Sequence, residues 1–320
     1  MLDYSAYIKS RKSFLKLKDD KQKGRLAHTF LVEAKDGDLA FAYAKMMAKI
    51  IIGESEISNN KIDKDIHPDV KVFGVQKKFT ADDASEIVSD VLVLPFEGES
   101  KVYIIANAEA MNEESQNKLL KTLEEPPHSS YFIMAARTEK TLLQTVISRS
   151  KKVLVEEPTE SEIEALLGWA GHKGEGAKVA SICSAGDASK ALKMVESNSF
   201  VKLYDNVLEM FRTMNSSRDI LRFIQKFSGR DFVIGDFLTI VESIAMDLVY
   251  IISHADKLLL NRHRLSELKV IASGFSPSAL SKILKECFDF RESLYYNVNM
   301  TPALDGFLLK FVEVKVKCKK

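Results

Sequence analysis

A chain of 320 residues is long enough to bury more than one core, and its size suggests roughly two or three domains. With 46 Lys and Arg against 45 Asp and Glu, the net charge is close to zero, whereas a module that grips duplex DNA unaided carries a strong basic excess. Cys183, Cys287 and Cys318 match no disulfide or zinc spacing, and the longest apolar segment, residues 39–52, is broken by Lys45 and Lys49 and is too short to span a bilayer. The first twenty residues lack the uninterrupted apolar run of a secretory signal. These features predict a reduced, cytoplasmic protein with no membrane partner.

Residues 1–24 scatter seven Lys and Arg among apolar positions and read as a solvated amphipathic helix. Residues 29–33 are β-rich and predict a strand, and 38–52 a largely buried helix. Residues 53–69 are polar and end in His67-Pro68-Asp69. A lone His with no partner points to a loop or strand edge and not to a metal site. Residues 70–73 predict a strand, 81–92 a helix and 95–100 a loop.

The clearest stretch is 101–150. Residues 101–106 and 131–136 are short apolar runs of the kind buried on both faces of a parallel sheet. Between them lies a helix with marked ends. Asn112 caps it, Glu113 and Glu114 suit its positive dipole end, and Pro126 and Pro127 stop it. Strand, helix and strand make a parallel crossover. A second helical stretch then leads to Ser148-Arg149-Ser150. Residues 152–156 predict a strand, and Thr159 caps a helix over 160–170. Residues 171–176 are a flexible turn, 177–183 a helix, and Gly186-Asp187-Ala188-Ser189-Lys190-Ala191-Leu192 follows. From about residue 200, apolar pairs recur at helical intervals, which predicts an all-helical region. The tail, 312–320, reads as a solvated helix end.

The run MNEESQNKLLKTLEEPP, a strand and then TVISRS resemble the clamp-loader branch of the AAA+ proteins, and within it the delta-prime type of bacterial DNA polymerase III subunit. The match is dense over 101–150 and fair over 25–69. It thins afterwards to positions such as GDASKAL and LYYNVNMTPALDGFLLKF. The resemblance implies an AAA+-like α/β domain with a parallel sheet and flanking helices over 1–156. It implies a small helical lid over 157–199 and an all-helical oligomerisation collar over 200–320. Relatives often carry a four-cysteine zinc module where this chain has 53–69, and no cysteine stands there.

An ATPase of this class needs a glycine-rich loop with a Lys for the phosphates and a hydroxyl for Mg²⁺ after its first strand. This chain offers Ala34-Lys35-Asp36-Gly37-Asp38, and no glycine anywhere is followed by lysine. The acidic pair that follows the third strand in such ATPases is Ala106 and Asn107 here, so neither Mg²⁺ nor an attacking water has its partner. Glu109, two residues on, reads as solvated surface. The Arg that reads a motor's own γ-phosphate is Ser189. Three losses point one way: no catalytic residue of its own, no metal and no cofactor.

What survives is Arg149, flanked by Ser148 and Ser150, where the family's Ser-Arg-Cys motif carries an arginine finger toward a neighbour's nucleotide. Ser150 replaces the family's Cys, and Leu143-Gln144 its Leu-Pro. The alternative for Arg149 is a plain surface ion pair. The resemblance thus implies a non-hydrolysing stator that acts with gamma/tau-type ATPase subunits and a delta-type subunit, reaching sliding clamp and primer-template DNA through the complex. A nucleotide-binding motor of the gamma/tau type is the alternative.

Overall fold

Five apolar runs become strands and pair into one sheet. They are β1 (Thr29–Glu33), β2 (Val70–Phe73), β3 (Lys101–Ile105), β4 (Ser130–Ala136) and β5 (Lys151–Leu154), in the order β2-β3-β4-β1-β5 with every pair parallel. This computed structural model describes residues 2–127, 129–227, 229, 232–294 and 299–317. The chain divides into two compact units, residues 1–170 with 186–190, and residues 171–185 with 191–320.

In the first unit, α1 (Ser5–Lys9) and α2 (Lys12–Gln22) precede β1, and α3 (Gly37–Ile52) follows it. Helix α3 is apolar nearly all round and is buried along most of its length, as its composition requires. Next come α4 (Glu56–Asp63), α5 (Ala81–Asp90), α6 (Glu113–Glu124), α7 (Gln144–Ser148) and α8 (Glu160–Trp169). Asn112 caps α6 by accepting from the Ser115 N–H at 2.8 Å, and reciprocal boxes close α5 (Thr80 with Asp83) and α8 (Thr159 with Glu162). One face of the sheet buries Leu31, Tyr103, Phe132 and Met134 against Ala84 and Ile87 of α5 and Leu119 and Leu123 of α6.

In the second unit, α9 (Glu175–Cys183) and the helices after the start of α10 (Ala188–Glu196) are α11 (Asn198–Thr213), α12 (Ser217–Lys226), α13 (Ile234–Ile252), α14 (Leu265–Ala272), α15 (Pro277–Ser293) and α16 (Met300–Lys317). Helix α13 is its spine, packed by α9, α11, α14 and α15. Phe211, Phe275 and Phe311 interlock beside it. A fully buried carboxylate, Asp247, accepts from the Leu260 and Asn261 backbone N–H groups at 2.7 and 2.8 Å, which ties the loop before α14 to α13.

Several expectations need correction. The polar stretch 53–69 holds α4, because Ser55 caps it and Ile62 buries one face even though most of its residues are polar. Residues 1–24 form two helices with Phe14 and Leu17 buried, so the lysine count hid an apolar stripe. The strand expected over 152–156 runs over Lys151–Leu154. In the tail, Lys315 is buried: its ammonium binds the carbonyls of Phe211 and, at 3.4 Å, Arg212, capping the end of α11, and sits over the Phe275 ring. Cys318 and residues 295–298 of the LYYNVNM stretch lie outside the described residues. Cys183 and Cys287 are buried and belong to no disulfide. Among the described residues no helix is long and apolar enough to cross a membrane.

Candidate functional site

The carboxyl ends of a parallel sheet's strands are where ligands of such folds bind; one of two contrasting corners of this unit lies there, and the other lies just ahead of β5, at the strands' amino ends. The first lies at the start of α3. Asp36 is the N-cap: it accepts from the backbone N–H groups of Asp38 and Leu39 at 3.0 and 3.3 Å. It also accepts from the backbone N–H of Ser189 at 3.0 Å and from the Ser189 hydroxyl at 2.7 Å, and Tyr4 donates its phenol at 2.6 Å. Asp36 is 1% exposed.

The first turn of a helix is an anion site, because its N–H groups lack helical partners and the dipole is positive there. Here two such turns, those of α3 and α10, converge on one carboxylate that belongs to the chain. Asp187 caps α10 by accepting from the Lys190 N–H at 2.8 Å. It also takes the Ser189 hydroxyl at 2.9 Å and the Arg137 guanidinium at 3.3 Å. Burial first, and then the negative charge of Asp36, push the Tyr4 phenol far above its ordinary pKa, so it stays a donor. Arg137 fills the space beside Gly37, where an added Cβ would lie 2.9 Å from its Nε.

The expected nucleotide-site positions divide between closure and exposure. Asp36 and Ser189 meet; Gly37 opens α3 but offers no phosphate cradle. Ala106 is buried, and its N–H donates to the Phe73 carbonyl at 2.8 Å. Asn107 is exposed in left-handed backbone (φ 50°) and donates to the Gly74 carbonyl at 2.9 Å. Gly74 itself has φ +79°, and a Cβ there would sit 2.2 Å from the Ala106 oxygen, so β2 and β3 close on each other at this end. Glu109 is no free surface acid: its carboxylate accepts from the Arg137 N–H at 3.2 Å and its carbonyl from the Thr141 hydroxyl at 2.7 Å. Among the described residues no cluster of His, Cys, Asp and Glu is arranged to hold a metal. His67 is buried and its Nδ1 accepts from the Asp69 N–H at 3.1 Å.

The second corner is the loop and helix that carry Arg149. Gln116 of α6 is buried and clamps the loop from below: its amide donates to the carbonyls of Met111 and Thr141, and its oxygen accepts from the Leu143 N–H at 2.7 Å. Leu143 has φ −63° and ψ 139°, the extended geometry a residue before proline takes, and Gln144 occupies the first helical position, where proline is also at home. The loop therefore follows the path that a Leu-Pro pair imposes. Arg149 is the C-cap of α7. Its Nη1 donates to the Thr145 carbonyl at 2.9 Å and its Nη2 pairs with the Glu124 carboxylate. The Ser148 and Ser150 hydroxyls both bond back to α7 carbonyls, of Thr145 and Val146. The side chain of Arg149 remains 33% exposed.

Sequence reasoning missed Tyr4, Arg137, Asp187, Gln116 and Glu124. Only Asp187 had a local signal, an Asp three residues ahead of a helical N–H. Each of the others has a partner 25 or more residues away.

A family model described as DNA polymerase III, delta subunit, matches residues 9–159. The delta' subunit of DNA polymerase III from Bacillus subtilis (strain 168) is 31% identical over 139 residues, 40% of this chain and 42% of that protein. The gamma subunit from Buchnera aphidicola subsp. Acyrthosiphon pisum is 27% identical over 135 residues, 39% of this chain and 37% of that protein. The chain spans between 21% and 52% of the length of the curated relatives it matches. A solved gamma subunit-related protein from Thermotoga maritima aligns over 93% of this chain and 99% of its own, at 17% identity and a TM-score of 0.46.

Proposed function

We propose that this chain, a relative of the clamp-loader subunits of DNA polymerase III, is a non-hydrolysing stator of the delta-prime type that supplies Arg149 in trans to a neighbouring ATPase subunit. The observation that carries the reading is the anion corner of α3, filled by the chain's own Asp36 and tied down by Tyr4 and Ser189. A γ-phosphate entering that corner would have to displace a buried, fully bonded carboxylate and would find no lysine-bearing glycine loop to replace it. The gamma-named relatives make a nucleotide-binding motor the other reading, and the same corner speaks against it.

Arg149 supports the positive half of the proposal. It is exposed, planar and permanently charged, and it can present two donors to phosphate oxygens. Negative charge builds on the oxygens of a γ-phosphoryl group in transfer, and a cation placed there lowers the barrier. In the proposed arrangement, residues 157–199 act as the lid, and the helical region 200–320 is the collar that joins gamma/tau-type and delta-type partners. Clamp and primer-template DNA are met through the complex.

The test is a loader reconstituted with Arg149→Ala. The variant should assemble normally while the ATPase falls, partially in bulk because only the site facing this chain is affected. Arg149→Lys should rescue poorly, since an ammonium cannot reproduce the fork. Parental clamp loading by an assembled Arg149→Ala complex would end the finger role. Deletion of residues 200–320 should abolish co-purification with the partners.

A further inference from the structure

Arg149 does not stand alone at its corner. It is the C-cap of a five-residue helix, and a long side chain in that place has many rotamers open to it. Two acceptors restrict it. The Thr145 carbonyl, one turn back, takes Nη1 at 2.9 Å, and the carboxylate of Glu124, the last residue of α6, takes Nη2. Among the described residues Nε makes no hydrogen bond. A guanidinium has five N–H donors in one plane. With one edge engaged by Thr145 and Glu124, the Nε–H and the neighbouring Nη2 proton remain as a side-on pair for an incoming oxyanion.

The pair contributes little to folding. Glu124 is 45% exposed and Arg149 33% exposed, and solvated ion pairs of this kind are worth almost nothing in stability. What it does is directional. Helix α6 is fixed in its first turn by the Asn112 cap and by Gln116, which also holds the loop leading into α7. Glu124 therefore reaches Arg149 from an element rigidly tied to the same loop.

We infer that Glu124 is the positioning residue of Arg149, holding the guanidinium by one edge so that its Nε edge faces a neighbour's phosphate. The inference rests on the finger reading of Arg149. Glu124 touches no reacting atom; it acts through the arginine, and both its position on α6 and its acceptor chemistry matter.

The experiment is a double-mutant cycle in the assembled loader, with ATPase kcat and KM measured for the parent, Glu124→Ala, Glu124→Gln, Arg149→Ala and the Glu124→Ala/Arg149→Ala pair, each checked for intact assembly. Glu124→Ala should lower the bulk kcat partially, by no more than Arg149→Ala does, with little change in KM, and the double variant should be no slower than Arg149→Ala alone, because the two residues act as one unit. Glu124→Gln keeps an acceptor at the same reach and should restore most of the lost rate. A parental rate for Glu124→Ala beside a reduced rate for Arg149→Ala would overturn the inference and leave the finger standing. Losses that simply add in the double variant would also overturn it, since they assign Glu124 a separate structural effect. A parental rate for Arg149→Ala itself would take down the finger reading and this inference together.

Discussion

The corner at α3 and the corner at α7 sit on one α/β unit and have opposite characters. At the first, five hydrogen bonds converge on Asp36, a side chain that is 1% exposed, and every donor comes from the chain itself. At the second, Arg149 holds two acceptors and keeps a third of its side chain in solvent. The difference teaches how one fold can close one corner on itself and leave another open to solvent. Losing a glycine loop leaves two helix N-termini with unanswered N–H groups, and a buried carboxylate answers them. In the proposed finger role, Arg149 needs the reverse, a firm base and an unanswered edge.

The comparison breaks first at Asp36. Asp36→Ala should cost about 3 kcal/mol in urea unfolding, since it strands the Tyr4 phenol and Ser189 in a buried place and uncaps α3. It should gain no nucleotide affinity, because neither a lysine nor a glycine loop arrives with the hole. Gln116→Ala should cost about 1–2 kcal/mol, from the partly buried Leu143 N–H and two carbonyls left unpaired. Hydrogen exchange should report it as faster exchange at Leu143, with Asp36's partners unchanged.

Tyr4→Phe should cost about 1 kcal/mol at neutral pH, and its larger signature is in alkali. The folded phenol has its pKa raised by burial and by Asp36, whereas in the unfolded chain it ionises near about 10. A raised folded pKa means that the contribution is fully present below about pH 10 and is lost as the pH rises above it, by up to about 1.4 kcal/mol per pH unit. Unfolding midpoints should therefore fall less steeply above about pH 10 in Tyr4→Phe than in the parent; equal slopes would remove Tyr4 from the corner. The smallest effect belongs to the open corner. Arg149→Ala should change stability by less than about 0.5 kcal/mol, so any loss of ATPase it causes in a complex is not a loss of folding.

Much of this was legible in the sequence where the signal is local. Asn112, the acids after it and Pro126-Pro127 mark α6 unambiguously, the apolar runs mark β3 and β4, and helical periodicity marks the second unit. Composition misled where few residues do the burying. Ile62 alone anchors the polar α4, and Lys315 looks solvated in a Val-Lys alternation although its ammonium sits over the Phe275 ring and caps α11. The closed corner was half legible: Asp36 before a helix start reads as a cap, but its meeting with Tyr4, 32 residues earlier, and Ser189, 153 residues later, follows from the fold alone. The same holds for Glu124 and Arg149, on helices separated by a strand.

The central claim is that this chain has exchanged a nucleotide's phosphate for its own carboxylate. Isothermal titration of the pure chain with ATP and Mg²⁺ at neutral pH tests it most directly. The account predicts no binding heat at millimolar nucleotide. A saturable isotherm with micromolar affinity would contradict it, since ATP could bind so tightly only by displacing Asp36 from the corner.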